Sequence, residues 1–240
     1  MYHLLQEYKM FVDSSNDLEY WTKNFITVNG KVIKLNQMQQ EINKTMLTNK
    51  IVPVVKTRQT GGTLFGCLAS LHYAIFNNNV KVGVYACNYN SSSYILKEII
   101  ELYTSINDKY KPKLKYMSKD IIKFENGSEI RIITESSIKG ITFNMVYIDE
   151  AAYNHNWNSM WYILAPILHY TSKVLLISSH NPKAVDYNNF IKYIARQYKL
   201  LVFPWYKTSI DANKVKTIRN LVSFESFVNE YECGGNYFIL

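Results

Sequence analysis

The chain has 240 residues, 48% of them hydrophobic, and a formal net charge of +8. That length and apolar content suit one large domain with a sizeable core, and they exclude a disordered or fibrous chain. The positive charge points towards a polyanionic partner such as nucleic acid, or reflects no more than a lysine-rich composition.

The first residues, MYHLLQEYKMFVDSSND, mix charges with apolar side chains and do not read as a signal peptide. No apolar run approaches the roughly 20 residues a membrane helix needs, so no membrane partner is expected. Cys67, Cys87 and Cys233 are far apart and odd in number, which argues against a disulfide framework or a cysteine zinc site and fits a reducing compartment. Residues 1–30 read as a helical appendage, with short amphipathic helices around Leu4 to Phe11 and Leu18 to Phe25. Asn29-Gly30, between Phe25 to Val28 and Lys31 to Ile33, is a hairpin signal. Leu35 to Met46 has helical period, and Asn36 can cap it. Gln39 lies on that helix; its amide offers a donor face and an acceptor face, which suits an adenine edge.

Ile51 to Leu64, IVPVVKTRQTGGTL, is an apolar strand, a glycine loop and the start of a helix. This is the layout of a phosphate-binding loop, in which backbone N–H groups and the helix N-terminus face the anion. Against the pattern G-x-x-x-x-G-K-[ST], Gly61 is the second glycine and Thr63 the hydroxyl residue. Gly62 stands in the lysine slot, and Lys56 stands where the first glycine would be. The loop needs a cation, and Lys56 and Arg58 are at hand, with Thr63 placed for Mg²⁺. A lysine at the start of the loop reaches the same phosphates if its side chain folds back over the turn. The opposing reading is that Gly62 marks a site that binds nucleotide without turning it over, or binds nothing.

Leu64 to Phe76 is nearly all apolar, as for a helix buried against a sheet, with His72 packed in the core. Val80 to Ala86 reads as a strand and Ser91 to Ile106 as a helix. Lys115 to Met117, Ile121 to Phe124 and Glu129 to Ile133 are short strands, with Asn126-Gly127 a tight turn. Ser136 to Gly140 is a polar break. Phe143 to Ile148 is a buried strand that ends in Asp149-Glu150. Trp157 to Leu168 is expected to be a helix, and Val174 to Ile177 a strand running into Ser178-Ser179-His180-Asn181-Pro182. A helix over Phe190 to Tyr198, a strand over Lys199 to Phe203 and helices over Ile210 to Leu221 and Ser223 to Glu230 complete the chain.

Strands alternating with helices predict an α/β fold, a mainly parallel sheet flanked by helices. Such sheets bind ligands beyond the carboxyl ends of their strands. The polar clusters at 56–63, 149–150 and 178–182 each follow an apolar strand, so the fold brings them to one edge. Asp149-Glu150 has the form of a Walker B element. Asp149 would hold Mg²⁺, and Glu150 would orient and deprotonate the attacking water. A solvated acidic strand end is the plainer reading; the glycine loop upstream favours the chemical one.

The order of these motifs resembles the ATPase domain of the large terminase subunit of tailed bacteriophages. The resemblance runs from the helix at Leu35 to Phe238. It is carried by LNQMQQE, KTRQTGGT, VGVYACNYNSSSYIL, ENGSEIRI, SSIKGITFNMVYIDEAAY, LLISSHNP and FVNEYECGGNYFI. It implies a P-loop NTPase of the RecA/ASCE type, with residues 31–200 as the core and residues 201–240 as a lid-like subdomain. It implies ATP and Mg²⁺ as ligands, and hydrolysis that translocates double-stranded DNA into a procapsid. The implied partners are a viral portal protein, the small terminase subunit and further copies in a ring; the implied location is the host-cell cytoplasm. In the family the loop often ends in G-K-T, and some members carry the lysine displaced to the start of the loop. Lys56 with Gly62 resembles that displaced form, with Thr57, Gln59 and Thr60 between.

By the same resemblance Gln39 contacts adenine, Arg58 senses the γ-phosphate, and Ser178, Ser179 and His180 form the coupling motif, Ser179 at the nucleotide. His180 departs from the usual Thr or Ala. Lys139 falls where many relatives have Arg, and lysine cannot make the same bidentate fork. The family's RNase H-type nuclease domain is expected to be absent. Two other readings stay open at this stage: a catalytically silent nucleotide- or DNA-binding module, and a helicase-like ATPase of the same fold.

Overall fold

The structure is a computed structural model that describes residues 2–134 and 140–235. Helices α1 (Tyr2–Asn16) and α2 (Leu18–Phe25) come first, before a hairpin of β1 (Thr27–Val28) and β2 (Lys31–Val32). Asn29 and Gly30 both have positive φ, 51° and 72°, as a two-residue turn of the primed type requires. The Asp17 carboxylate caps α2 by accepting from the amides of Glu19 and Tyr20.

Helix α3 (Gln37–Thr48) opens in a capping box. The Asn36 side chain accepts from the Gln39 amide, and Gln39 Oε1 accepts from the Asn36 amide. Asn36 Nδ2 also donates to the Thr60 carbonyl at 3.1 Å, so the cap is tied to the glycine loop. Asn36→Ala is therefore expected to lower stability by about 1 kcal/mol, the usual worth of a helix cap. A urea melt reads this directly as a lower midpoint at unchanged slope.

The main domain comes next. Its elements are β3 (Ile51–Lys56), α4 (Gly62–Phe76), β4 (Lys81–Tyr85), α5 (Tyr89–Thr104), β5 (Leu114–Met117), β6 (Ile121–Phe124), β7 (Glu129–Ile132), β8 (Phe143–Asp149), α6 (Trp157–Leu164), β9 (Leu168–Ser178), α7 (Val185–Ile194), β10 (Leu201–Phe203), α8 (Ala212–Leu221) and α9 (Phe224–Tyr231). Eight strands form one sheet in the order β10-β3-β9-β8-β4-β7-β6-β5. Pairing is parallel from β10 to β7 and antiparallel through β6 and β5. The expected α/β architecture is the one observed. The expected start of the lid-like subdomain, residue 201, is the first residue of edge strand β10.

Strands β3, β4, β8 and β9 are apolar on both faces because helices cover both. One core layer packs α3, α4 and α5 on the sheet; the other packs α6 and α7 on the opposite face. Pro53, which has no N–H to give a ladder, sits just past the end of the β10 pairing, where Leu201 faces Val54. Helix α4 approaches β8 closely at Gly66: a Cβ built there would lie 2.0 Å from the Tyr147 ring. Among the described residues no helix is long and apolar enough to cross a membrane.

Several expectations are corrected. The helix expected to reach Leu168 stops at Leu164 and passes through a 3-10 turn, Ala165–Ile167. Pro166 explains the stop, since it offers no N–H and its ring crowds the preceding turn. Strand β9 then begins at Leu168, six residues before the expected Val174. The helix expected at Phe190 begins at Val185: its buried face is Tyr187, Ile191 and Ile194, a 4-3 spacing that the asparagines between them obscure. His72 is a packed residue as expected; its Nε2 lies 2.7 Å from the Ser14 carbonyl, and burial pulls its pKa down to about 4. The polar break at residues 136–139, including Lys139, lies outside the described residues.

Candidate functional site

The loop between β3 and α4 is shaped by two left-handed residues, Gln59 (φ 61°) and Gly61 (φ 80°). A side chain at Gly61 would be strained in backbone and would also meet Gln39 Nε2 at 2.9 Å. The loop's carbonyls and hydroxyls are tied down. The Thr57 amide donates to the Phe203 carbonyl, Thr60 Oγ1 to the Thr57 carbonyl, and Gln39 Nε2 to the Gly61 carbonyl at 2.8 Å. The amides from Gln59 to Leu64 find no acceptor among the described residues. A run of open N–H groups at the start of a 15-residue helix is an anion cradle.

The lysine stands at the end of β3. Lys56 is 4% exposed, and its Nζ lies 3.0 Å from Glu150 Oε1. A Cβ built at Gly62 would sit 2.9 Å from Lys56 Cε and 3.0 Å from Ile177 Cγ2. The alkyl stem of Lys56 therefore runs through the space that a side chain at position 62 would fill. The glycine and the displaced lysine are two halves of one packing solution.

Glu150 comes directly after β8 with φ 46°, a backbone state costly for a residue with a side chain. Its other oxygen, Oε2, accepts from the Ser179 amide and hydroxyl, both at 3.2 Å. Burial would push the Glu150 carboxyl up; the Lys56 ammonium and the Ser179 donors outweigh it and hold Glu150 below the usual range. Asp149 is pushed up by burial and then by the Glu150 charge, partly offset by the Tyr147 and Thr63 hydroxyls and by Lys56. Thr63 Oγ1 donates to Asp149 Oδ2 at 2.8 Å. Asp149 Oδ1 is buried with no partner of good hydrogen-bond geometry among the described residues. A buried carboxylate oxygen with spare lone pairs beside a threonine hydroxyl is a donor set that fits a hard divalent cation such as Mg²⁺.

The structure thus brings together Lys56, Asp149, Glu150 and Ser179 from the ends of three adjacent strands and Thr63 from the first turn of α4. It places Gln39 against the loop backbone. It places Arg58 at the loop's outer side, with Nη1 3.3 Å from Glu230 Oε1 of α9. Glu230 escaped the sequence reading, although its carbonyl also accepts from the Arg58 amide and the Thr57 hydroxyl. No local pattern announces such a contact across more than 170 residues. Tyr147 escaped as well, because within an apolar strand it reads simply as core. Behind the coupling motif, Gly234 (φ 80°) packs so tightly on the His180 ring that a Cβ would come within 2.6 Å.

Strand β9 lies between the loop strand β3 and the acidic strand β8, so its Ser178-Ser179 tip falls between lysine and carboxylates. That extra strand, with a glutamate after the strand-end aspartate, defines the ASCE class of P-loop NTPases. Within that class, the family of T4-like-type terminase large subunits, N-terminal domain, matches residues 54–229, and the chain belongs to it.

Solved structures agree on the fold. The Thermus phage P74-26 large terminase ATPase domain is 14% identical, with a TM-score of 0.67 over 83% of this chain and 93% of that one. The HK97 bacteriophage large terminase is 10% identical, with a TM-score of 0.64 over 92% of this chain and 52% of its own. The large terminase of a thermophilic bacteriophage, in complex with ADP, is 11% identical, with a TM-score of 0.62 over 82% of this chain and 52% of its own. The chain spans about half the length of these last two proteins. The ATPase-motor role is that of its family.

Proposed function

We propose that the chain hydrolyses ATP with Lys56 as the phosphate-loop lysine, and that hydrolysis drives double-stranded DNA into a procapsid. The observation that supports this most is the Lys56 stem lying in the space left by Gly62. It offers a cation to the cradle without a lysine in the usual slot. The open amides of residues 59–64 bind the phosphate oxygens, and the Lys56 ammonium balances their charge. Lys56 rests on Glu150, so an incoming phosphate competes with that carboxylate for the ammonium. Release leaves Glu150 oriented by Ser179 and, without the ammonium beside it, a stronger base towards water. Asp149 and Thr63 would hold Mg²⁺, which supplies charge neutralisation at the β- and γ-phosphates. Gln39 retains one N–H and one lone pair for an adenine edge, and Arg58 would leave Glu230 to meet the γ-phosphate.

A ring of copies on a portal protein, served by a small terminase subunit in the host-cell cytoplasm, is the setting this reading implies. The test is phosphate release from ATP by the purified chain. Release that stops on chelation of Mg²⁺ and returns on its addition supports the reading. Release indifferent to chelation, or failure to bind a fluorescent ATP analogue, overturns it.

A further inference from the structure

We propose that the outer edge of the sheet, β5 and the segments flanking it, contacts the phosphates of duplex DNA; the inference rests on the packaging reading above. Between Asn107 and Lys123 the chain carries six lysines, Lys109, Lys111, Lys113, Lys115, Lys119 and Lys123, against two aspartates. Strand β5 ends the sheet, and its ladder to β6 shifts register between Leu114 and Tyr116. Three of the lysines are engaged within the protein. Lys109 lies over the Tyr110 ring, 5.5 Å from its centroid. Lys111 pairs with Asp108 at 2.7 Å and lies over the Tyr103 ring, and Lys123 pairs with Glu129 at 3.7 Å. Lys113, Lys115 and Lys119 are exposed and enter no ion pair among the described residues. Tyr116 and Met117 beside them are also exposed, at 54% and 47%.

Lysines on an edge strand often serve only to prevent sheets from pairing edge to edge. That role does not account for this surface. Lys119 lies beyond the strand, in the turn to β6, where there is no ladder to guard. An exposed tyrosine and methionine would weaken a guard rather than strengthen it. A row of uncompensated ammonium groups with a tyrosine hydroxyl is instead the donor chemistry that positions protein on a phosphate backbone. The surface is separate from the nucleotide site. Three strands lie between β5 and β8, so the two are about 19 Å apart at the normal strand spacing.

The test uses the full chain and a short fluorescent DNA duplex, with anisotropy tracked across a salt titration. For Lys113→Gln/Lys115→Gln/Lys119→Gln the slope of log affinity against log salt is expected to flatten by about 2 to 3, one unit for each phosphate no longer neutralised. Binding of a fluorescent ATP analogue should stay at the wild-type value, which shows that the variant is folded. Lys214→Gln/Lys216→Gln, on exposed positions of α8, should leave the slope alone. An unchanged slope in the triple variant overturns the proposed surface and spares the packaging reading. Wild-type chain that does not bind duplex at all overturns both. If the triple variant instead loses only binding to polyglutamate, the edge is a dock for an acidic protein, and the proposal is wrong.

Discussion

Lys56→Ala is expected to lower ATP turnover by about 10³-fold or more, the scale on which positioned cations act in phosphoryl transfer. The lysine is buried, and its ammonium sits on the carboxylate assigned to the water. Removing it takes away both the charge balance for the phosphates and the partner that holds Glu150 in place. Gly62→Lys alone is expected to fail as well, although it restores the familiar loop pattern. Its Cβ would meet Lys56 Cε at 2.9 Å and Ile177 Cγ2 at 3.0 Å, so the two lysines compete for one channel. The double variant Lys56→Ala/Gly62→Lys frees that channel and is expected to recover at least about tenfold over Lys56→Ala, part of the transition-state stabilisation a positioned cation gives. Steady-state phosphate release at saturating ATP and Mg²⁺ reads all three. Turnover of Lys56→Ala within about threefold of wild type, less than 1 kcal/mol of transition-state energy, would remove the lysine from the mechanism.

The sequence carried the parts of this site that are local. An apolar run, two glycines and a threonine announce a strand, a left-handed turn and a helix start, and φ 80° at Gly61 is the conformation glycine permits at least cost. Asp149-Glu150 at the end of FNMVYI was legible for the same reason: carboxylates are rarely buried without a partner, so two of them closing an apolar strand stand out. Contacts that cross between elements could not be read. Strand order alone puts β9 between β3 and β8, and only then does Ser179 meet Glu150. Glu230 lies on an amphipathic helix among ordinary surface charges, yet its backbone and carboxylate both hold the loop. The first half of β9 was missed because Pro166 signals the end of a helix but not the type of the next element. The displaced lysine sits between these cases: its residue type was visible, while its route past Gly62 depends on how α4 packs over β3 and β9.

The sharpest separation of local preference from tertiary contact lies at Gly66. Glycine in the middle of a helix costs about 1 kcal/mol relative to alanine, so helix propensity alone predicts that Gly66→Ala stabilises the protein. The packing predicts the reverse. An added Cβ would fall 2.0, 2.3 and 2.4 Å from three atoms of the Tyr147 ring, and that ring is fully buried in β8. Either α4 retreats from the sheet or Tyr147 moves, and Tyr147 is two residues from Asp149. Gly66→Ala is therefore expected to lose about 3 kcal/mol or more, at the upper end of overpacking penalties. Urea unfolding measures the sign directly, and Tyr147→Leu in the same chain should recover part of the loss by giving the methyl group room. Because α4 carries the amides of the phosphate cradle, any Gly66→Ala protein that stays folded should also bind nucleotide more weakly. A stabilised Gly66→Ala variant would mean that the helix and strand do not meet where the structure puts them, and the cradle's position over Asp149 would then have no support.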